Sequence, residues 1–123
     1  MTKKISILIV DDEESVRDSL FNWFMEDGYH VECAENANKA LAMLENESFD
    51  IILADIKMPG NSNLELTKEL PKLAKGTPTI LVTAFPSQKS AIEAIDLPVA
   101  AYMVKPIDFE ELKKKVTKRF RLL

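Results

Sequence analysis

The feature that most constrains the fold is a regular alternation of short apolar runs with segments of helical periodicity. The apolar runs lie at 5–10, 29–34, 50–55, 78–84 and 100–104. Buried strands separated by amphipathic helices are typical of a parallel sheet that is covered on both faces. The alternation therefore predicts an α/β fold built from five strand and helix units.

Helical periodicity between these runs predicts five helices, at about 14–26, 37–47, 63–70, 87–96 and 108–120. Gly28 is expected to end the first helix, and Pro71 to kink or end the third, because proline has no amide hydrogen to donate. Asp108 and Glu111 form a capping box at the start of the last helix. We predict a doubly wound (βα)5 three-layer sandwich of flavodoxin-like type, with parallel strand order 2-1-3-4-5.

Composition narrows the function classes. The chain has 123 residues, 46% of them hydrophobic, which is enough for one core, so we predict a single domain over 1–123. Its net charge of -4 gives no electrostatic reason to bind nucleic acid or an anionic membrane. No apolar run is long enough for a membrane span or a signal peptide, so we expect a cytoplasmic location. Cys33, the lone cysteine, is interpreted as a small core filler.

Polar side chains stand at the carboxyl ends of four of the five predicted strands. Asp11 and Asp12 follow the first strand, Asp55 ends the third, Thr83 ends the fourth and Lys105 follows the fifth. Open parallel sheets bind ligands at this edge, where the strand order reverses. Taken singly, each residue has a structural explanation as a helix cap, a turn residue, a strand residue or a solvated charge. Their joint occurrence at one edge favours a functional site.

Charge at this edge predicts a metal ion. With strand order 2-1-3-4-5 the first and third strands are neighbours, so the carboxylates of Asp11, Asp12 and Asp55 converge. Two like charges 4 Å apart repel by about 1 kcal/mol in water and about 4 kcal/mol at an effective dielectric constant of 20. Lys105 offsets one of the three negative charges, and the remaining two match a divalent cation. Carboxylate oxygens without His or Cys favour Mg²⁺, or Mn²⁺ in its place.

A divalent cation beside a carboxylate, a hydroxyl and an ammonium group is typical of phosphoryl transfer. The metal and Lys105 would neutralise the transferring oxygens, Thr83 would donate a hydrogen bond, and Asp55 would be the nucleophile. The predicted product is an aspartyl phosphate. This role explains why a buried strand ends on a carboxylate, followed at once by a Lys-Met-Pro-Gly turn.

Four segments together resemble the receiver domain of two-component response regulators: ILIVDDEESVRDSL, ILADIKMPG, ILVTA and YMVKP. The resemblance covers essentially the whole chain. It implies that Asp55 is the phosphoacceptor and that Asp12 and Asp55 bind Mg²⁺ directly, with Asp11 acting through water. It also implies that the backbone carbonyl of Lys57 is a metal ligand.

The same resemblance assigns a switch. Thr83 and Lys105 would contact the phosphoryl group, and Tyr102 would turn inward upon activation, which changes the surface formed by the fourth helix, fifth strand and fifth helix. The peptide bond before Pro106 is expected to be cis. Lys57 and Phe85 are expected to flank the path of the water that removes the phosphoryl group.

The chain departs from the family pattern after its MPG motif. Asn61, Ser62 and Asn63 stand where Met, Asp and Gly are usual, and Asn tolerates the left-handed backbone that Gly would supply. Pro98 and Val99 replace a common Gly-Ala pair at the end of the fourth predicted helix. None of the residues assigned to the chemistry is affected.

The resemblance implies a phosphorylation-switched signalling domain that receives its phosphoryl group from a histidine kinase or a histidine phosphotransfer protein. It would not be an enzyme for a separate substrate, although it would catalyse its own phosphorylation and slow dephosphorylation. We expect an unidentified downstream effector, no nucleic-acid or membrane partner, and a monomer or a weak phosphorylation-dependent dimer.

Three other functions are weighed against this one. A phosphatase of the haloacid-dehalogenase type needs a second acid two residues after its nucleophile, and position 57 is Lys. A docking module without the chemistry typically lacks one of the acids or the lysine, and here all are present. A flavodoxin-like cofactor binder is excluded, because the acidic DDEES loop would repel a bound phosphate.

Overall fold

The computed structural model describes residues 4–56, 58, 61, 65–74, 76–84 and 99–119. The strands within these ranges are β1 (Ser6–Val10), β2 (His30–Ala34), β3 (Ile51–Asp55), β4 (Thr79–Thr83) and β5 (Val99–Val104). The helices are α1 (Glu14–Glu26), α2 (Ala37–Asn46), α3 (Glu65–Leu73) and α4 (Phe109–Arg119). The predicted helix at 87–96 lies outside the described residues.

All five strands form one parallel sheet in the order β2-β1-β3-β4-β5, which confirms the predicted topology. The order reverses between β1 and β3, where Val10 pairs with Ala54. Asp55 pairs with Val82 on β4, and Thr83 pairs with Val104 on β5. These registers bring the carboxyl ends of β1, β3, β4 and β5 to one edge.

Helices cover both faces of the sheet, so the domain has the three predicted layers. Side chains of α2 and α3, including Ala40, Leu44 and Leu66, pack with Leu8 and Ile52 on one face. The other face is a second core cluster whose helical members come from α1 and α4: Leu20, Phe24, Leu112 and Val116. Strands buried on both faces explain why the sequence shows continuous apolar runs rather than strict alternation.

Local signals account for most of the helix boundaries. Gly28 has a φ of 91° and its N–H bonds the carbonyl of Met25 at 3.1 Å, so the predicted stop of α1 is confirmed. Asp108 Oδ1 accepts from the N–H groups of Glu110 and Glu111, at 3.0 and 3.2 Å, as expected of a helix cap. Helix α3 continues through Pro71 and ends at Leu73, because a proline in the last turn removes only one hydrogen bond.

Two other expectations concern Cys33 and membrane-spanning helices. Cys33 is half-buried against the second core cluster, as a filler would be, and burial raises the pKa of its thiol. Within the described ranges, no helix has the length and apolar character needed to cross a bilayer.

Candidate functional site

Four carboxylates meet at the carboxyl edge of the sheet. Asp11 follows β1, Asp12 and Glu13 lead into α1, and Asp55 is the last residue of β3. One oxygen from each lies within 4.8 Å of the others. Asp11 and Asp55 are 4% and 3% exposed, whereas Asp12 and Glu13 face solvent. The convergence expected of the three aspartates is observed, and Glu13 is a member that the sequence analysis missed.

The ammonium group of Lys105 lies against this cluster. Its Nζ is 2.8 Å from Asp11 Oδ2 and 3.3 Å from both Asp55 Oδ2 and Glu13 Oε1. Lys105 follows β5, and its side chain reaches acids at the carboxyl ends of β1 and β3. Burial works to lower the pKa of this lysine, but the hydrogen bonds and charges of Asp11 and Asp55 outweigh it and raise the pKa. Lys105 is therefore a charged group at the site.

The backbone N–H, the backbone carbonyl and the carboxylate of Asp11 all have hydrogen-bond partners. Its N–H donates to the carbonyl of Ala34 at 3.2 Å, and its carbonyl accepts from Arg17 Nη1 at 2.8 Å. Oδ1 accepts the N–H of Glu13 at 2.9 Å, while Oδ2 faces Lys105. These contacts join the loop between β1 and α1 to β2, to α1 and to Lys105. Arg17 was missed because it lies on the polar side of an amphipathic helix, where a cation needs no special explanation.

The two predicted switch residues lie on adjacent strands. Thr83, at the end of β4, is fully buried, and its carbonyl accepts the N–H of Lys105 at 2.8 Å. Tyr102 pairs with Leu81 and packs, half-buried, against the core cluster that contains Leu81. Because alternate strand residues share a face, Thr83 and Tyr102 lie on the same side of the sheet.

The Lys105–Pro106 peptide bond is cis, as the resemblance implied. Lys57 and Phe85, which were expected to supply a metal-ligand carbonyl and to flank the site, lie outside the described residues. Of the three unusual loop residues, only Asn61 is described.

Asn61 is a third residue whose place the sequence analysis missed. It is fully buried, with Nδ2 donating to the backbone carbonyl of Asp55 at 3.0 Å. Its Oδ1 accepts the N–H and the Oγ1–H of Thr67, at 3.0 and 3.1 Å. An asparagine in a turn loop is an ordinary observation, so the only available signal was its replacement of an expected Met.

The donor set fits a hard divalent cation. Four carboxylates and one ammonium group leave a net charge of -3 among the described side chains of the cluster. All the candidate ligand atoms are oxygens, which Mg²⁺ prefers. Asp11, Asp12 and Asp55 would bind the ion, and it would supply positive charge next to the most buried carboxylates. Glu13 stands at the exposed side of the same cluster.

Comparison with known proteins agrees with this geometry. The model of the response regulator receiver domain matches residues 7–117. Regulatory protein AtoC of Escherichia coli is 36% identical over 122 residues, which is 99% of this chain and 26% of AtoC. The chain thus spans about a quarter of the length of AtoC, and it covers the same share of the ZraR regulators that it matches.

Solved structures show the same likeness. A CheY-like receiver domain protein from Methanospirillum hungatei has a TM-score of 0.87 and 34% identity, covering 96% of this chain and 98% of its own. The response regulator TrrA from Thermotoga maritima, solved with Mg²⁺ and BeF, has a TM-score of 0.82 and 37% identity, covering 94% and 98%. The chain belongs to the response regulator receiver domain family. It is a phosphoacceptor module of two-component signalling, and this assignment does not favour the phosphatase alternative.

Proposed function

We propose that Asp55 accepts the phosphoryl group, in a Mg²⁺-dependent transfer from a histidine kinase or a histidine phosphotransfer protein. The observation that carries this proposal is the bridge of Lys105 between Asp11 and Asp55, beside four carboxylates within 4.8 Å. Three strands of one sheet would thus supply a nucleophile, a cation beside it and carboxylates for a divalent ion.

The chemistry follows from these positions. A carboxylate oxygen of Asp55 attacks phosphorus, the bond from phosphorus to the donor nitrogen breaks, and the leaving imidazole keeps the electron pair of that bond. The bound metal would supply charge neutralisation on the transferring oxygens. Lys105 already lies 3.3 Å from Asp55 and adds a second positive charge. Asp11, Asp12, Asp55 and the carbonyl of Lys57 would hold the ion.

Burial of the acceptor has a functional consequence. Asp55 is 3% exposed, and the Lys105 side chain is 9% exposed, so the reacting groups are held in one geometry rather than sampling solvent. Fixed charges aimed at a reaction centre are more effective than solvated ones, because they need no reorganisation. A partner must therefore bring its phosphoryl group to this edge of the sheet.

The switch that we propose links Thr83 to Tyr102. The phosphoryl group would draw in the hydroxyl of Thr83, and the ring of Tyr102 would move into the space vacated on the same face of the sheet. Because Tyr102 lies on the edge strand β5, its movement would change the surface that an effector contacts. That surface is formed by β5, α4 and the predicted helix at 87–96.

Intact mass measurement tests the acceptor. The protein is incubated with acetyl phosphate, with and without Mg²⁺, and we expect a gain of one phosphate only when the metal is present. Asp55→Asn should abolish the gain, whereas Asp50→Asn, at the opposite edge of the sheet, should keep it. Metal-independent labelling, or labelling that persists in Asp55→Asn, would overturn the proposal.

A further inference from the structure

A buried amide side chain joins the end of β3 to the start of α3. Asn61 donates from Nδ2 to the carbonyl of Asp55 at 3.0 Å and accepts at Oδ1 from two groups of Thr67, at 3.0 and 3.1 Å. Asn61 is 0% exposed and Thr67 is 2% exposed. These contacts span six residues on each side of Asn61, so they bind two elements together rather than shape one turn.

Backbone hydrogen bonds also join the residues described between Asp55 and Asn61. Ile56 N–H donates to Val82 at 2.9 Å, Met58 N–H to Ile56 at 2.9 Å, and Asn61 N–H to Met58 at 3.0 Å. The Asn61 side chain also donates to the carbonyl of Asp55, at 3.0 Å.

The amide oxygen of Asn61 acts in place of a helix cap. Thr67 is the third residue of α3, and its N–H is one of the donors that have no acceptor inside a helix. The residue before α3 is Leu64, which has no side-chain oxygen. Asn61 Oδ1 supplies the acceptor from outside the helix, so the position of α3 is tied to the acceptor strand through one side chain.

We propose that Asn61 is a positioning residue of the acceptor site. Its amide fixes the backbone of Asp55 against the first turn of α3. This inference rests on the proposed function of Asp55. A displacement of about 1 Å in a reacting group can cost on the order of a hundredfold in rate, so a defect confined to this hydrogen bond is measurable.

Substitutions can test the contacts of the Asn61 side chain with Asp55 and with Thr67 separately. Asn61→Leu keeps nearly the same shape and removes all three hydrogen bonds. Thr67→Val removes only the hydroxyl bond and leaves the contact with Asp55 intact. Ser6→Ala, which disturbs the opposite edge of the sheet, controls for a loss of stability alone.

The experiment measures the rate of phosphorylation by acetyl phosphate at saturating Mg²⁺ and donor, together with urea stability. We expect Asn61→Leu to slow the reaction at least tenfold while Ser6→Ala and Thr67→Val stay within about twofold of the parent. The amide resonance of Ile56 should shift in Asn61→Leu alone, because its peptide group includes the Asp55 carbonyl. If Asn61→Leu does not fold, Asn61→Asp, which keeps an oxygen for Thr67, is expected to show the same slow rate.

The outcomes distinguish this inference from the proposed function. A parent protein that gains no phosphate overturns both. A parent that is phosphorylated, with Asn61→Leu reacting equally fast, overturns the role of Asn61 alone. Equal slowing of Asn61→Leu and Ser6→Ala would show that the defect follows stability and would also overturn it.

Discussion

Asp50, which precedes β3, and Asp55, which ends it, lie in opposite surroundings. At the amino edge, Asp50 Oδ2 accepts hydrogen bonds from the N–H and the hydroxyl of Ser6, at 2.8 and 3.1 Å, and Asp50 N–H donates to the carbonyl of Ser6 at 2.9 Å. At the carboxyl edge, Asp11, Asp55 and two further carboxylates share one ammonium group. Asp50 is satisfied by neutral donors, while the described residues around Asp55 carry more negative than positive charge.

This difference shows what separates a structural carboxylate from a functional one. Asp50 and Asp55 lie at the two ends of the same stretch of chain, and both are removed from solvent to a large extent. Asp50 ties β1 to the start of β3 and needs nothing else. Asp55 lies in a cluster whose described carboxylates outnumber its one ammonium group, a charge balance that favours a cation. The comparison predicts that substitutions at the two edges change different measured quantities.

The largest expected effect is on metal affinity at the carboxyl edge. Asp12→Ala should weaken Mg²⁺ binding by about a hundredfold, because affinity for hard cations follows the number of charged oxygen ligands. Asp50→Asn removes the same charge at the other edge and should leave the affinity unchanged. Titration with Mg²⁺, followed by amide chemical shifts, measures both. Equal affinities in Asp12→Ala and the parent would mean that the site is misplaced.

The second effect is on stability at the amino edge. Asp50→Ala removes the acceptor of two hydrogen bonds and should lower the free energy of unfolding by about 2 kcal/mol. Ser6→Ala keeps the N–H contact and should cost about 1 kcal/mol. Urea denaturation measures the losses, and Mg²⁺ affinity should not change in either variant. A stability close to that of the parent in Asp50→Ala would break the distinction between the edges.

The sequence pattern predicted the fold because the alternation of strands and helices runs along the whole chain. Each predicted strand boundary lies within one residue of the observed one. Parallel connection then obliges Asp11, Asp55 and Lys105 to meet at one edge, so their convergence needed no side-chain information. The fold and the centre of the site therefore follow from periodicity and topology together.

The residues that were missed depend on side-chain directions that no periodicity encodes. Glu13 was counted only as part of the acidic DDEES loop, yet its carboxylate lies 3.3 Å from the ammonium group of Lys105. Asn61 lies in a loop, where neighbouring positions have no fixed face, and its partners are six residues away in both directions. A sequence pattern finds residues that share an element, and these two act between elements.

The third prediction concerns the balance between Lys105 and the metal. Lys105→Met removes the only ammonium group that the described part of the cluster contains, so Mg²⁺ should bind about fivefold more tightly, a gain of about 1 kcal/mol. Phosphorylation should nevertheless slow, because a charge on the transferring oxygens is lost. Lys113→Met, which breaks a pair with Asp27 on the far end of α1, is the matched control and should change neither. Weaker Mg²⁺ binding in Lys105→Met would show that the lysine organises the metal ligands rather than competing with the ion.

The smallest effect tests whether the acids repel one another without metal. Glu13→Gln loses one attraction, to Lys105 at 3.3 Å, and relieves repulsion from three carboxylates within 4.8 Å. We expect the relieved repulsion to exceed the lost attraction, so the free energy of unfolding of the metal-free protein should rise by about 0.5 kcal/mol at low salt. The gain should shrink as salt screens the exposed charges.

Glu111→Gln provides the control for this last comparison. Glu111 also pairs with one lysine, Lys115 at 4.0 Å, but it lies on α4 away from the acidic cluster. Glu111 lies in the first turn of α4, where a negative charge is favourable, so its neutralisation removes attractions to Lys115 and to the helix N-terminus, and stability should fall slightly. Urea denaturation of both variants in chelator, at low and high salt, measures the difference. If Glu13→Gln is the less stable of the two, the pair with Lys105 outweighs the repulsion between the acids.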